Sequence, residues 1–215
     1  MEETKIIKRP FKWVGGWLCL DFANSKNWGT DELIYERFFS YEDLVLWNQA
    51  ANRLPTPAGE QLRLEARQRP AEAERVFEQA MALRKLIQRL FGAIAHGVPP
   101  QARDLAEVNE AVALVLAQSK INPAKAGREK FQWGWAGPEQ SLERVLWPIV
   151  WSVAELLLSD KLSRVGQCAA ENCGWLFLDT TRNHSRRWCE MEHCGNRAKA
   201  KRHYRRHRAS DNLEL

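Results

Sequence analysis

Two short cysteine loops constrain this chain more than any hydrophobic pattern does. Cys168 and Cys173 close one loop, and fifteen residues later Cys189 and Cys194 close a second with the same spacing. Two like-spaced pairs are how a chain brings four thiolates around one tetrahedral zinc ion. Sulfur then fills all four positions and leaves none for water or substrate, so the expected ion is structural and not catalytic. Two disulfides are the other use of such pairs, but disulfides belong to exported chains. Lys5, Lys8, Arg9 and Lys12 ahead of Val14 to Leu20 imitate an export signal, yet Gly15 and Gly16 interrupt the apolar run and Asp21 ends it. The expected location is the cytoplasm. The expected cofactor is one structural Zn2+ on Cys168, Cys173, Cys189 and Cys194. His184 and His193 are close enough in sequence to replace a cysteine, while Cys19, alone in an apolar segment, reads as a small core residue.

The surroundings of the pairs have a pattern of their own. Trp175-Leu176-Phe177-Leu178-Asp179 is strand-like and Thr180-Thr181-Arg182-Asn183 is turn chemistry, which predicts a hairpin between the two pairs. The second pair runs directly into a helix-forming stretch from Arg197 to Arg205. Knuckle, hairpin and a helix carrying the last ligands make a treble-clef layout. So short a segment has little core, and metal must supply folding free energy on the order of 10–16 kcal/mol.

Charge is segregated onto the same segment. Residues 161–208 hold twelve Lys and Arg against four Asp and Glu, a balance of +8; with +5 for the whole chain, the rest carries −3. Arg182, Arg186 and Arg187 precede the second pair. Arg197, Lys201, Arg205 and Arg208 follow at spacings of four, four and three on one helix face, with Lys199, Arg202 and Arg206 in an adjacent row. Like charges at those spacings repel one another, and a phosphate backbone offsets that repulsion. Arg182, Arg186, Arg187, Arg197, Lys199, Lys201, Arg202, Arg205 and Arg206 are therefore the expected nucleic-acid contacts. DNA and RNA both fit, and an acidic protein of the transcription machinery is the competing partner.

Residues 1–160 read as mainly helical. Ser40 caps a helix from Tyr41 to about Asn52; Thr56 with Pro57 opens the next; Pro70 opens a third, whose apolar positions run from Val76 to Ile94 with Gly97 as its stop. Pro99-Pro100 begins another helix, with Leu105, Val108, Val112, Val115 and Leu116 inward. Phe131 to Trp135 alternates and predicts a hairpin, and Pro138 reopens a helix that kinks near Arg144 to Pro148. Eight of the ten tryptophans lie in this part, either as core or as the walls of a ligand pocket between helices. No apolar run approaches the ~18–20 residues of a membrane span. There is no Gly-rich phosphate loop, no nucleophile elbow and no His/Glu metal-ligand helix, so no catalytic residue is expected and the chain does not read as an enzyme.

Cys194-Gly195-Asn196-Arg197, with Arg186-Arg187-Trp188-Cys189 before it and the Cys168–Cys173 knuckle and Phe177-Leu178-Asp179 upstream, resembles the CGNR zinc-finger family of bacterial proteins over about Val165 to Arg208. Gly15-Gly16 followed by Leu18 to Ser25 resembles the opening of the mainly helical ABATE domain that accompanies this finger. The resemblance implies a stress-linked bacterial transcription regulator whose finger binds DNA in preference to RNA. The expected architecture is a mainly α protein: a helical domain over 1–160 with one small β-hairpin, a treble-clef-like finger over 161–210 with a hairpin and a basic C-terminal helix, and a tail over 211–215. The helical domain is expected to sense a small-molecule effector or to mediate association as a homodimer.

Overall fold

The computed structural model describes residues 5–28, 33–124 and 130–211, and within these the side chains of 5–7, 33–34 and 205–211 lie outside the description. The protein is mainly helical, and its centre is the short helix α1, Leu18–Ala23. Every residue of α1 from Cys19 to Ala23 is buried. Around it stand α2 (Tyr41–Ala50), α3 (Thr56–Gln68), the long α4 (Pro70–Ala95), α5 (Ala102–Ala117) and α6 (Trp147–Leu157). Helix α4 explains itself from sequence: Ala73, Val76, Ala80, Leu83, Ile87, Leu90 and Phe91 recur at helical spacing and are all buried. It stops where Gly97 takes φ +69°, a left-handed conformation that favours glycine. Ser40 caps α2 by accepting the Asp43 N–H.

Among the described residues, three two-stranded ladders complete the architecture. β1 (Lys5–Lys8) pairs in parallel with β2 (Leu33–Glu36), β3 (Ser119–Pro123) pairs antiparallel with β4 (Phe131–Trp135), and β5 (Val165–Gln167) pairs antiparallel with β6 (Leu176–Leu178). Phe22, Phe38 and Trp47 interlock in the core with ring centroids 5.5–6.0 Å apart. Arg84 of α4 crosses this core to hold Glu36 through two bonds of 2.7 and 2.8 Å, and it also donates to Ser25 at 2.9 Å.

The structure corrects the sequence reading in five places. Thr56 is the first residue of α3 and Pro55 occupies the cap position. Leu105 and Leu116 are exposed, because Asp104 takes an inward position of α5, where it accepts two N–H groups of Arg89. Pro148 does not kink a long helix. It sits in the first turn of α6, where its missing N–H costs nothing, and a separate 3-10 turn spans Leu142–Val145. The parallel β1–β2 ladder was not legible from pattern. Finally, the hairpin of the C-terminal segment does not separate the cysteine pairs: β5 precedes the first pair and β6 follows it, so the knuckle is the hairpin's own loop.

That last difference has a packing cause. Val165, Leu176 and Leu178 are buried in the same apolar core as α1 and α4. The Asn24 side chain serves as a third strand for β6, donating to Leu176 O and accepting Leu176 N–H, both at 2.8 Å. Gln88 of α4 donates to Gly174 O at 2.7 Å, and Trp175 Nε1 to Lys26 O at 2.7 Å. The C-terminal segment is thus seated on the helical part by buried and part-buried hydrogen bonds, and the buried ones are costly to leave unmade. Among the described residues no helix is long and apolar enough to cross a membrane.

Candidate metal centre and its basic surroundings

Cys168 directly follows β5 and donates its N–H to Trp175 O across the mouth of the knuckle. Cys173 closes the loop, and Gly174 then turns the chain with φ +68°. A Cβ on Gly174 would lie 2.8 Å from Trp28 Cβ, so glycine answers both the conformation and the close approach. Trp28 N–H in turn donates to Cys173 O at 3.0 Å. Cys189 comes in from the loop, and one wide helical turn, Met191–Gly195, carries Cys194 into the final helix α7 (Asn196–Asp211).

All four sulfurs lie within 4.8 Å of one another, and all four cysteines are buried. Cys189 Sγ stands 3.5 Å from both Cys173 Sγ and Cys194 Sγ. Four sulfurs at about 2.3 Å from one tetrahedral ion would stand about 3.8 Å apart, so the donor set fits one metal ion. The thiols are also mutually strained as neighbours. Hydrogen bonding from Cys173, then Cys189 and Cys194, holds the Cys168 thiol far below its ordinary value. Cys189 is pushed far up, first by its contact with Cys168. Sulfurs this close lose protons together only when a cation sits among them. Trp175 and Phe177, with Val14, Trp28 and Trp188, form the apolar shell around them.

The CGNR tetrapeptide takes definite roles. A Cβ on Gly195 would meet Met191 Sδ at 2.6 Å and Trp188 Cδ1 at 3.2 Å, and its N–H donates to Glu190 O. A larger residue there would have to displace the flexible end of Met191 and press on the Trp188 ring. Asn196 donates to Glu192 O at 3.1 Å, and Arg197 places one N–H 3.8 Å from Cys194 Sγ. Asp179 accepts the Thr181 hydroxyl and the N–H groups of Thr181 and Arg186. Burial raises the pKa of Asp179, but these bonds outweigh it and hold the carboxyl below its ordinary value.

The basic residues separate into distinct groups. Arg186 is half-buried: its guanidinium donates to the carbonyls of Val14, Leu178, Trp188 and Cys189 and stacks 4.3 Å over Phe177. Such a group ties the loop to the N-terminal segment, and its N–H groups are already engaged. Lys201 pairs with Glu171 of the knuckle, and Arg197 faces the sulfur cluster. Arg182, Arg187, Lys199 and Arg202 are exposed, and Arg187 lies 5.5 Å over Trp188. Among the described residues no anionic side chain pairs with these four. Arg205 and Arg206 belong to α7, but their side chains lie outside the described residues. His184 and His193 are exposed and stand outside the four-sulfur group; His193 contacts Glu190 at 2.8 Å.

Several residues of this site were invisible in the motif. Val14, Asn24, Lys26 and Trp28 come from the helical part and brace the finger, and Lys12 pairs with Glu190 beside Cys189. The one signal was Asn24, a polar residue directly after the apolar run of α1.

Comparison with known families places both halves. The CGNR zinc finger model matches residues 164–207, and the ABATE model, described as "Putative stress-induced transcription regulator", matches residues 16–160. No curated protein matches the chain. Since the second match spans more than half of the sequence, the chain belongs to the ABATE family and carries a CGNR zinc finger directly after that domain.

Proposed function

We propose that this protein is a DNA-binding bacterial transcription regulator of the cytoplasm, not an enzyme, with one structural zinc ion on Cys168, Cys173, Cys189 and Cys194. When bound, the ion supplies the positive charge that offsets the thiolates and fixes the knuckle to the start of α7. The protein's own residues do the rest. Arg186, Asn24 and Trp175 anchor the finger on the helical part, and Arg182, Arg187, Lys199 and Arg202 face outward toward phosphates. One observation carries the reading: four exposed cations that have no acidic partner among the described residues stand on a segment that carries a buried four-sulfur cluster. Phosphate contacts of this kind orient a protein on a duplex, and sequence is read by further contacts to base edges. The helical domain is the part that senses an effector.

The test is binding of the reduced, zinc-loaded protein to random duplex DNA and to single-stranded RNA across a salt series. Four phosphate contacts give a log–log slope of about −3 to −4 on duplex DNA. Arg187→Ala, Lys199→Ala and Arg202→Ala should each weaken binding evenly across sequences and flatten that slope by about one unit. Absence of binding to either nucleic acid at low salt overturns the proposal. Nuclease-resistant capture of an acidic protein through the same cations would then put a docking module in its place.

A further inference from the structure

Away from the finger, the helical part holds an open cavity of about 760 Å³ that the nucleic-acid reading does not use. Its size falls in the range of small-molecule sites. Trp13, Trp17, Trp133, Trp135 and Trp151 wall it, and Asp21 lies among them. The walls are held in place before any ligand arrives. Trp151 packs 4.7 Å from Trp133 and 6.5 Å from Trp135, Trp13 rests 5.3 Å from the buried Trp47, and Trp17 Nε1 donates to Ser152 O at 3.0 Å. Yet Trp13 is 43% and Trp133 54% exposed. Large aromatic faces left open around a hollow favour burial by an occupant.

The carboxylate says which occupant. Asp21 is only 8% exposed. Its Oδ1 accepts the N–H groups of Val14 at 2.9 Å and Gly15 at 2.7 Å, and no described residue donates to Oδ2. Arg186 acts on it only at a distance, since the guanidinium N–H groups go to backbone carbonyls. Glu155 adds a second negative charge to the lining and Arg53 one positive charge, so the lining residues themselves carry one net negative charge. Aromatic faces and a cavity-lining carboxylate whose Oδ2 has no described donor attract the same thing, a weakly hydrated positive charge on an apolar frame. The protein already shows the preference on a small scale: Lys161 Nζ sits 5.2 Å over the Trp17 ring.

We propose that this tryptophan-walled cavity binds a flat, monovalent organic cation, with Asp21 as its counter-ion and Trp133 and Trp151 as its stacking faces. The assignment gives a chemical class to the effector named above and rests on that part of the proposed function, not on nucleic-acid contact. The site also touches the finger's seat. The Val14–Gly15 segment gripped by Asp21 accepts Arg186 Nη2 at Val14 O and Leu178 N–H at Gly15 O.

Isothermal titration calorimetry on the full zinc-loaded chain, without nucleic acid, tests the site near pH 7.5. The probes are N-methylquinolinium, uncharged quinoline and the anion naphthalene-2-sulfonate. Expected are one site per chain for the quinolinium, at least about tenfold weaker binding of quinoline, and none of the sulfonate. Asp21→Asn, which keeps an oxygen for the two N–H groups, should weaken the cation about tenfold and leave quinoline unchanged. Trp133→Ala, on an exposed strand, should weaken cation and quinoline together. Glu155→Gln, fully outside the core, keeps the charge test decisive if Asp21→Asn does not fold, and should weaken the cation alone. Equal affinity for quinolinium and quinoline, or a cation affinity indifferent to both charge-removing variants, overturns the proposal whether or not the protein binds DNA.

Discussion

Replacing Asp21 by Asn should make the protein more stable at neutral pH, and the gain should vanish in acid. Burial comes first among the causes that push the Asp21 carboxyl from 3.8 up to about 6, against the opposing hydrogen bonds from Gly15 and Val14 and the field of Arg186. The folded protein therefore holds that proton more tightly than the unfolded chain. The sign follows: the contribution to stability is fully present below the unfolded value and is lost as pH rises through the folded one. A shift of this size corresponds to about 3 kcal/mol lost by pH 7.5, of which about 1.5 kcal/mol is recovered by pH 5. Asn carries no charge and still offers an oxygen to Val14 and Gly15, so it escapes the loss. Urea denaturation of both proteins at several pH values between about 5 and 7.5 reads the difference directly, since any titration of the sulfur cluster is common to both. A melting gain on the order of 5–10 °C at pH 7.5 accompanies it. A variant less stable than wild type at pH 7.5, or a difference flat with pH, refutes the reasoning. Keeping a charge that lowers stability is what a binding site does.

Two other changes separate architecture from contact. Asn24→Ala leaves Leu176 N–H and O buried without partners, a loss of about 2–4 kcal/mol, together with faster amide exchange at Leu176; a loss under about 1 kcal/mol in denaturant would show that the finger does not depend on this seat. Arg186→Ala frees four carbonyls and should speed removal of bound metal by a chelator, whereas Arg187→Ala should weaken nucleic-acid binding with metal retention unchanged. Chelator kinetics that do not distinguish the two arginines would contradict this division of labour.

What the sequence revealed and concealed follows physical lines. Spacing alone found the four-sulfur group, because short loops closing on one point are a local property of the chain. Helical periodicity found α4 and the Ser40 cap for the same reason. Misplaced features were those decided by distant partners. The strand-like run at Leu176 seeks its mate in Val165–Gln167, because both bury against α1 and α4. Arg186 and Arg187 are neighbours in a basic run, yet one faces carbonyls of a segment 172 residues away and the other faces solvent. Charge counting cannot tell them apart. The tryptophans divide likewise: Trp47 and Trp147 are core, while Trp13 and Trp133 stand half-open around the cavity.

The sulfur cluster is the feature on which the finger depends, and metal analysis joined to thiol titration probes it most directly. Protein purified under reduction and without chelator should contain one zinc per chain and show no rapidly reacting thiol. Adding a strong chelator should release the metal and expose four reactive cysteines, while Cys19, whose thiol burial pushes up to about 12, reacts only on unfolding. Metal-free protein, or four cysteines already open to reagent before chelation, would contradict it.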